Sequence, residues 1–148
     1  MTDRVQLQQV LLNLIVNACE AMTTNQPHDR SLVIETAVID HDTVSISVLD
    51  NGSGIRVDVV DQLFEPFVTT KQQGLGLGLT ICRSIAGAHG GHLWAGNNAD
   101  RGSAFRLVLP RDGSPAGERE RARPGRRGAE TWRVTILREA SGVYRSYE

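Results

Sequence analysis

The sequence predicts a two-layer α/β sandwich, with helices packed on one face of a mixed, mostly antiparallel sheet. Three observations carry that expectation. Two segments space their apolar residues three and four apart, as helices do, and four short segments alternate apolar with polar residues or are bounded by turn residues, as strands are. Their order is helix, strand, strand, long loop, helix, strand, strand, which suits helices gathered on one side of a sheet. With 148 residues and 40 % apolar content, the chain can build one core, and with few aromatics that core rests on Leu, Val, Ile and Ala.

The first helix is "VQLQQVLLNLIVNACEAM", with Leu7, Leu11, Leu14, Ala18 and Met22 as its apolar row. Gln9, Asn13 and Asn17 step by four and Glu20 follows three later, making one polar stripe. "PHDR" ends the pattern. "SLVIETAVID" and "TVSISVLD" read as strands joined by "HD"; in the second, Val44, Ile46 and Val48 form the buried face against Ser45 and Ser47, and Asp50 arrives at the strand end. Arg56 to Gln73 is a loop with a short helical patch, "VDVVDQLF". The second helix, "LTICRSIAGAHG", puts Leu79, Cys82, Ile85, Ala86 and His89 on one side. "HLWAG" and "SAFRLVLP" close the domain as strands around the turn "NNADRG".

Charge divides the chain. Up to Pro110 there are seven basic and eleven acidic side chains; from Arg111 onward there are nine arginines against six acids. The shift falls on "LPRDGSPAGERERARPGRRGAE", rich in Pro, Gly and Arg. We expect a domain over residues 1–110 and a linker with a C-terminal tail over 111–148, flexible from Arg111 to about Ala129, with "TWRVTIL" as a further strand. A net charge of −1 gives no reason to expect nucleic acid or an anionic membrane as partner. No run approaches the roughly 18 apolar residues of a membrane span, and "MTDRVQLQQ" is not a signal peptide, so a cytoplasmic location is expected. Cys19 and Cys82 both sit in apolar helical patterns and are expected to be buried structural thiols.

Three clusters could carry chemistry. "GLGLGL" from Gly74 to Leu79, with the only lysine, Lys71, just before it, matches neither the Walker loop nor the dinucleotide fingerprint. What remains is a permissive loop entering a helix N-terminus, either a hinge before a packed helix or a cradle for phosphate. Asn13 and Asn17 either face solvent or turn an amide oxygen to a ligand; the Asn17 carbonyl could bind Mg²⁺, which takes one or two protein oxygens and fills its shell with water and phosphate. "DNGSGI" is either a turn or a carboxylate, Asp50, placed to accept from an adenine amino group while Gly52 and Gly54 admit the base. His89 and His92 have the spacing of a metal pair, but no Cys or acidic pair completes it.

In order, these stretches resemble the sensor histidine kinases. "QVLLNLIVNACEAM" is similar to their N box, "DNGSGI" to the first glycine box, "LFEPFVTTK" to the F box, "GLGLGLTICRSIAGAHGG" to the second glycine box and "GSAFRLVLP" to the closing segment, together spanning Asp3 to Pro110. The resemblance implies the Bergerat ATP-binding fold, shared with gyrase B, the Hsp90 chaperones and MutL, and ATP with Mg²⁺ as cofactors. By that match Asn17 holds the metal, with Asn13 one turn before it. Asp50 reads adenine, with Gly52 and Gly54 against the base. Phe64 and Phe67 anchor an ATP lid, and Lys71 reaches the phosphates. Gly74, Gly76, Leu77 and Gly78 form the phosphate side, and Gly102 and Ser103 stand where the family has Gly-Thr. Where hydrolysing relatives carry a glutamate base, this chain has Asn13, which cannot take a proton and so favours transfer to an external acceptor.

That acceptor is implied to be a histidine on a dimerisation hairpin, with the receiver domain of a response regulator as the next partner. The chain starts almost at the N box, so the hairpin and the first strand of the fold are expected to be missing. "AETWRVTIL" resembles the first strand of a receiver domain, without the paired acids that should follow. Three functions compete: the catalytic ATP-binding half of a histidine kinase, a non-catalytic ATP-binding or regulatory module, and a gyrase- or chaperone-type ATPase, which Asn13 disfavours.

Overall fold

A computed structural model describes residues 3–68, 76–111, 131–138 and 144–147. Helix α1 spans Arg4–Ala21 and helix α2 spans Gly78–Ala88. The strands are β1 (Ser31–Asp40), β2 (Thr43–Asp50), β3 (His92–Asn97), β4 (Ser103–Pro110), β5 (Thr131–Arg138) and β6 (Tyr144–Tyr147). Short 3₁₀ turns lie at Pro27–Asp29 and Val60–Gln62.

Local chemistry sets several boundaries. Asp3 caps α1, its Oδ1 accepting from the amides of Val5 (2.9 Å) and Gln6 (3.4 Å). Asp40 closes the β1–β2 turn by accepting the Asp42 amide at 2.9 Å. Gly90, with φ 70°, turns the chain from α2 toward β3.

The strands form one sheet in the order β3-β4-β2-β1-β5-β6. Every pairing among the described residues is antiparallel, in line with the mostly antiparallel sheet expected from the sequence. "TWRVTIL" does form a strand, β5, which lies beside β1 with Ile34 opposite Val134. The helices pack on one face: α1 over β2 and β1, α2 over β3 and β4, and each against the other.

The core lies in that layer. α1 contributes Val10, Leu14, Ala18 and Met22, a strict four-residue series, while Leu7 and Leu11 of the expected row are only partly buried. α2 contributes Cys82, Ile85 and Ala86; the sheet contributes Leu32, Val48, Leu93, Phe105, Leu107 and Leu109. His89, on the same side of α2 as Cys82, Ile85 and Ala86 in the sequence reading, ends the helix half-buried and bonds the Gln6 side chain at 2.9 Å.

Two expectations are corrected. Cys19 is exposed, because it follows buried Ala18 by one residue and is turned about 100° away from it; only Cys82 is buried. Ser45 and Ser47 are buried along with Val48, while Val44 and Ile46 of the expected buried face are only half-buried. β2 lies inside the sheet between β4 and β1, and the Arg106 guanidinium lies over Ser47, donating Nε–H to its Oγ at 3.1 Å.

Two outcomes follow for stability and thiol chemistry. Leu107 is fully buried, so Leu107→Ala should lower stability by about 2–5 kcal/mol, read from the urea midpoint. Burial pushes the Cys82 thiol above its ordinary value of 9.0. The unfolded chain releases that proton first, so this contribution is full below about pH 9 and is lost as pH rises further. Cys19 should react with an aromatic disulfide reagent in the native protein, and Cys82 only after denaturation.

Candidate functional site

The site begins where β2 ends. Val48 lies opposite Phe105 on the helix-covered face, and Asp50, two residues on, shares that face. Its carboxylate is 3 % exposed. Oδ1 accepts the Gly52 amide at 2.8 Å and the Ser103 amide at 3.3 Å, and Oδ2 accepts the Ser103 hydroxyl at 2.6 Å. These donors make burial of the group tolerable.

The backbone is held equally closely. Gly102, at φ 85°, lies against the Asp50 carbonyl, where a side chain would collide with it. Gly52 lies against the end of α1: a Cβ there would come within 2.5 Å of the Ala21 carbonyl oxygen. The Ser53 amide donates to the same carbonyl at 3.1 Å. Asn51 faces away from Asp50 and staples the strand entry, accepting the Ser31 amide at 2.9 Å and the Asn25 amide group at 3.3 Å. Asn25 is itself buried and is reached by the Arg101 guanidinium.

The two helices form the next wall. Gln6 meets His89, and the Asn13 amide group donates to Cys82 Sγ at 3.6 Å, so α1 and α2 run antiparallel. Asn13 therefore faces α2, and half-buried Asn17, one turn further along the same stripe, lies toward the first turn of α2. Leu77 precedes that turn with no side-chain cap, and the first helical bond runs from Ile81 N–H to Leu77 C=O at 2.9 Å. The amides of Gly78, Leu79 and Thr80 consequently have no partner within the helix. A Cβ on Gly78 would meet nothing within 4 Å, so packing does not require glycine there.

The F-box pair divides. Phe64 is half-buried: its carbonyl accepts the Thr80 hydroxyl at 3.1 Å, and the Arg83 guanidinium lies 5.6 Å from its ring centre. Phe67 is 75 % exposed with φ 65°, and its amide donates to the Gly76 carbonyl at 3.2 Å. Lys71 and Gly74 lie outside the described residues. Among the described residues, no three His, Cys, Asp or Glu side chains converge as a metal cluster would, and no helix is long and apolar enough to cross a membrane.

Sequence reasoning named Asp50, Gly52 and Ser103, and the fold brings these together. Gly54 closes the same loop, φ 75°, beside Asn97. The sequence reading missed Asn25, Asn97, Asn98 and Arg101, which hold this loop through side-chain bonds across the chain. The only signal for Asn97, Asn98 and Arg101 was a polar turn, "NNADRG", which reads as a connection, and Asn25 lies in the polar stretch after the first helix.

Comparison with known proteins agrees with this geometry. The family described as histidine kinase-, DNA gyrase B- and HSP90-like ATPase matches residues 2–113. The sensor protein FixL of Bradyrhizobium diazoefficiens is 49 % identical over 110 residues, covering 74 % of this chain and 21 % of FixL. The sensor protein TdiS of Thauera aromatica is 44 % identical over 108 residues, covering 72 % of this chain and 20 % of TdiS. The chain thus spans about a fifth of the length of these curated relatives. Among solved structures, the catalytic domain of histidine kinase ThkA superposes with a TM-score of 0.62 at 35 % identity, over 74 % of this chain and 69 % of that one. Full-length ShkA in complex with AMPPNP gives a TM-score of 0.60 at 32 % identity, over 71 % of this chain and 21 % of that one. A strand-end carboxylate bonded to Ser103, a first helix whose Asn13 meets the second and an uncapped helix start thus occur in a chain that belongs to the histidine kinase-, DNA gyrase B- and HSP90-like ATPase family and is similar to the catalytic domain of a histidine kinase.

Proposed function

We propose that this domain, taken as residues 1–110, binds Mg²⁺-ATP and supplies its terminal phosphoryl group to a histidine on a helical dimerisation hairpin, from which a response regulator's receiver domain is charged. The family match over residues 2–113 supports the boundary, and ATP use supports a cytoplasmic location.

One observation carries the reading: among the described residues, the buried Asp50 carboxylate keeps an acceptor position unused. Its two oxygens offer about four lone-pair positions, of which Gly52 and Ser103 occupy three. The remaining position, on Oδ2, suits a single N–H donor such as the exocyclic amine of adenine. Guanine presents a carbonyl at that position, which a carboxylate repels.

The other residues divide the remaining tasks. The amides of Gly78, Leu79 and Thr80, which have no partner within α2, suit phosphate oxygens, because they add hydrogen bonds to the positive end of the helix dipole. Gly76 and Leu77 lead the backbone to that point, and open space at Gly78 leaves room for the approach. Asn17 is the metal ligand in this reading, its amide oxygen matching the hard-oxygen preference of magnesium. When bound, the metal neutralises phosphate charge and so assists transfer. Lys71 is assigned to the phosphates and Phe64 to anchoring the preceding loop. Asn13 sits where a base would be needed for hydrolysis, and an amide cannot act as one.

Calorimetry tests the binding step. A non-hydrolysable ATP analogue should bind more tightly than its GTP counterpart, and Asp50→Ala should lose about 1.5–3 kcal/mol, or roughly one to two decades in affinity. Equal affinity for both bases would remove adenine recognition from the reading.

The transfer step needs its own assay. Asn17→Ala should abolish the magnesium-dependent part of binding. The domain should label a hairpin from its own kinase added in trans while releasing little phosphate alone, and Asn13→Glu should raise slow hydrolysis. A folded, ATP-bound domain that never labels that hairpin is a non-catalytic binding module. Brisk hydrolysis by the unmodified chain would instead indicate an ATPase.

A further inference from the structure

The turn between β3 and β4 does more than reverse the chain. The last residue of β3, Asn97, and the first of the turn, Asn98, hold both ends of the segment Asp50–Ile55. At the start of the segment, the Asn98 side-chain amide donates to the carbonyl of Asp50 at 2.8 Å and to those of Arg101 and Ser103 at 3.2 Å each. Its backbone N–H donates to the Gly102 carbonyl at 2.9 Å. One residue thereby gathers carbonyls from the end of β2, the turn and the start of β4. At the far end, Asn97 Oδ1 accepts the Ile55 amide at 2.6 Å while Nδ2 donates to the Ile55 carbonyl at 2.9 Å. That is the two-bond exchange of an antiparallel pair, made by a side chain.

The glycine of this loop fits the same arrangement. A Cβ on Gly54 would come within 2.9 Å of Asn97 Oδ1. The absence of a side chain at Gly54 therefore makes room for the Asn97 amide.

We propose that Asn97 and Asn98 are positioning residues: a two-point clamp that fixes the loop Asp50–Ile55 against β4 before nucleotide arrives, so that Asp50 keeps its bonds to Ser103 and its free acceptor position keeps its aim. Neither side chain needs to touch the ligand. The clamp acts through preorganisation, since a loop already held in its bound shape loses less conformational freedom on binding. This inference rests on the nucleotide reading above. A mere turn stabiliser would support the hairpin's stability without influencing base recognition.

The test uses Asn97→Ala, Asn98→Ala and the milder Asn98→Ser, with Asp100→Ala, exposed on the same turn, as control. The first readout is amide exchange at Gly52 and Ser103 in the nucleotide-free chain, because both amides bond Asp50 and neither is touched by either asparagine side chain. Exchange there should speed up about tenfold in Asn98→Ala, less in Asn98→Ser and not in Asp100→Ala, a tenfold change being about 1.4 kcal/mol. The second readout is calorimetry with magnesium and the non-hydrolysable analogues of ATP and GTP. Asn98→Ala and Asn97→Ala should each weaken the ATP analogue about tenfold, and Asn98→Ala should narrow its advantage over the GTP analogue. Unchanged exchange at Gly52 and Ser103, or a full base preference in variants that only melt earlier, would overturn the clamp. If the unmodified chain binds neither analogue, the nucleotide reading falls, and amide exchange alone decides whether the clamp holds the loop.

Discussion

The structure turns on one constraint, a carboxylate buried at the end of a strand. Asp50 has lost nearly all contact with water, and an ionised group so placed is costly unless donors replace its hydration. Those donors come from two segments far apart in sequence: Gly52, just beyond β2, and Ser103, at the start of β4. Both strands must therefore stay in register, with Leu49 opposite Ala104. Gly102 must remain without a side chain for β4 to lie so close to the Asp50 carbonyl. The buried carboxylate and the sheet geometry are thus mutually dependent.

The helix layer separates two tasks along a single helix. One face of α1 places Val10, Leu14, Ala18 and Met22 in the core. In the adjoining stripe Asn13 meets α2 at Cys82, and half-buried Asn17 stands one turn further along. The apolar series anchors the helix, and the polar stripe is rigid because it shares that backbone. α2 repeats the arrangement end to end, with Cys82, Ile85 and Ala86 in the core and its uncapped first turn at the site. Thr80 and Arg83 extend its hold to Phe64, so the loop before α2 is tied down at that residue, whereas Phe67 is left in solvent.

Much of this was legible in the sequence because the signals are local. Helical spacing identifies α1 and α2, alternation identifies β2 and β4, and four short motifs in a fixed order point to an ATP-binding fold. Even the tail strand β5 was visible as a β-rich run, although its place beside β1 was not. Errors arose where local pattern and three-dimensional placement diverge. Cys19 belongs to an apolar-looking segment yet faces outward, because a single residue step carries it about 100° around the helix. Ser45 and Ser47 look like a solvent face yet are buried, because β2 has strands on both sides and the Arg106 side chain over it.

The sequence by itself determined the elements, the apolar faces that pair them, and the residues proposed to carry chemistry: Asp50, Gly52, Ser103 and the asparagine stripe. Each depends on residue type and near spacing, which the one-dimensional pattern preserves. Tertiary structure alone decided how that chemistry is held. Asn98 reaches Asp50 from 48 positions away, Asn97 reaches Ile55 from 42, and Arg101 reaches Asn25 from 76. Such bonds leave no periodicity, since an asparagine in a turn looks the same whether it faces solvent or grips another strand. Only the antiparallel register, which brings the β3–β4 turn beside the end of β2, gives those side chains their partners.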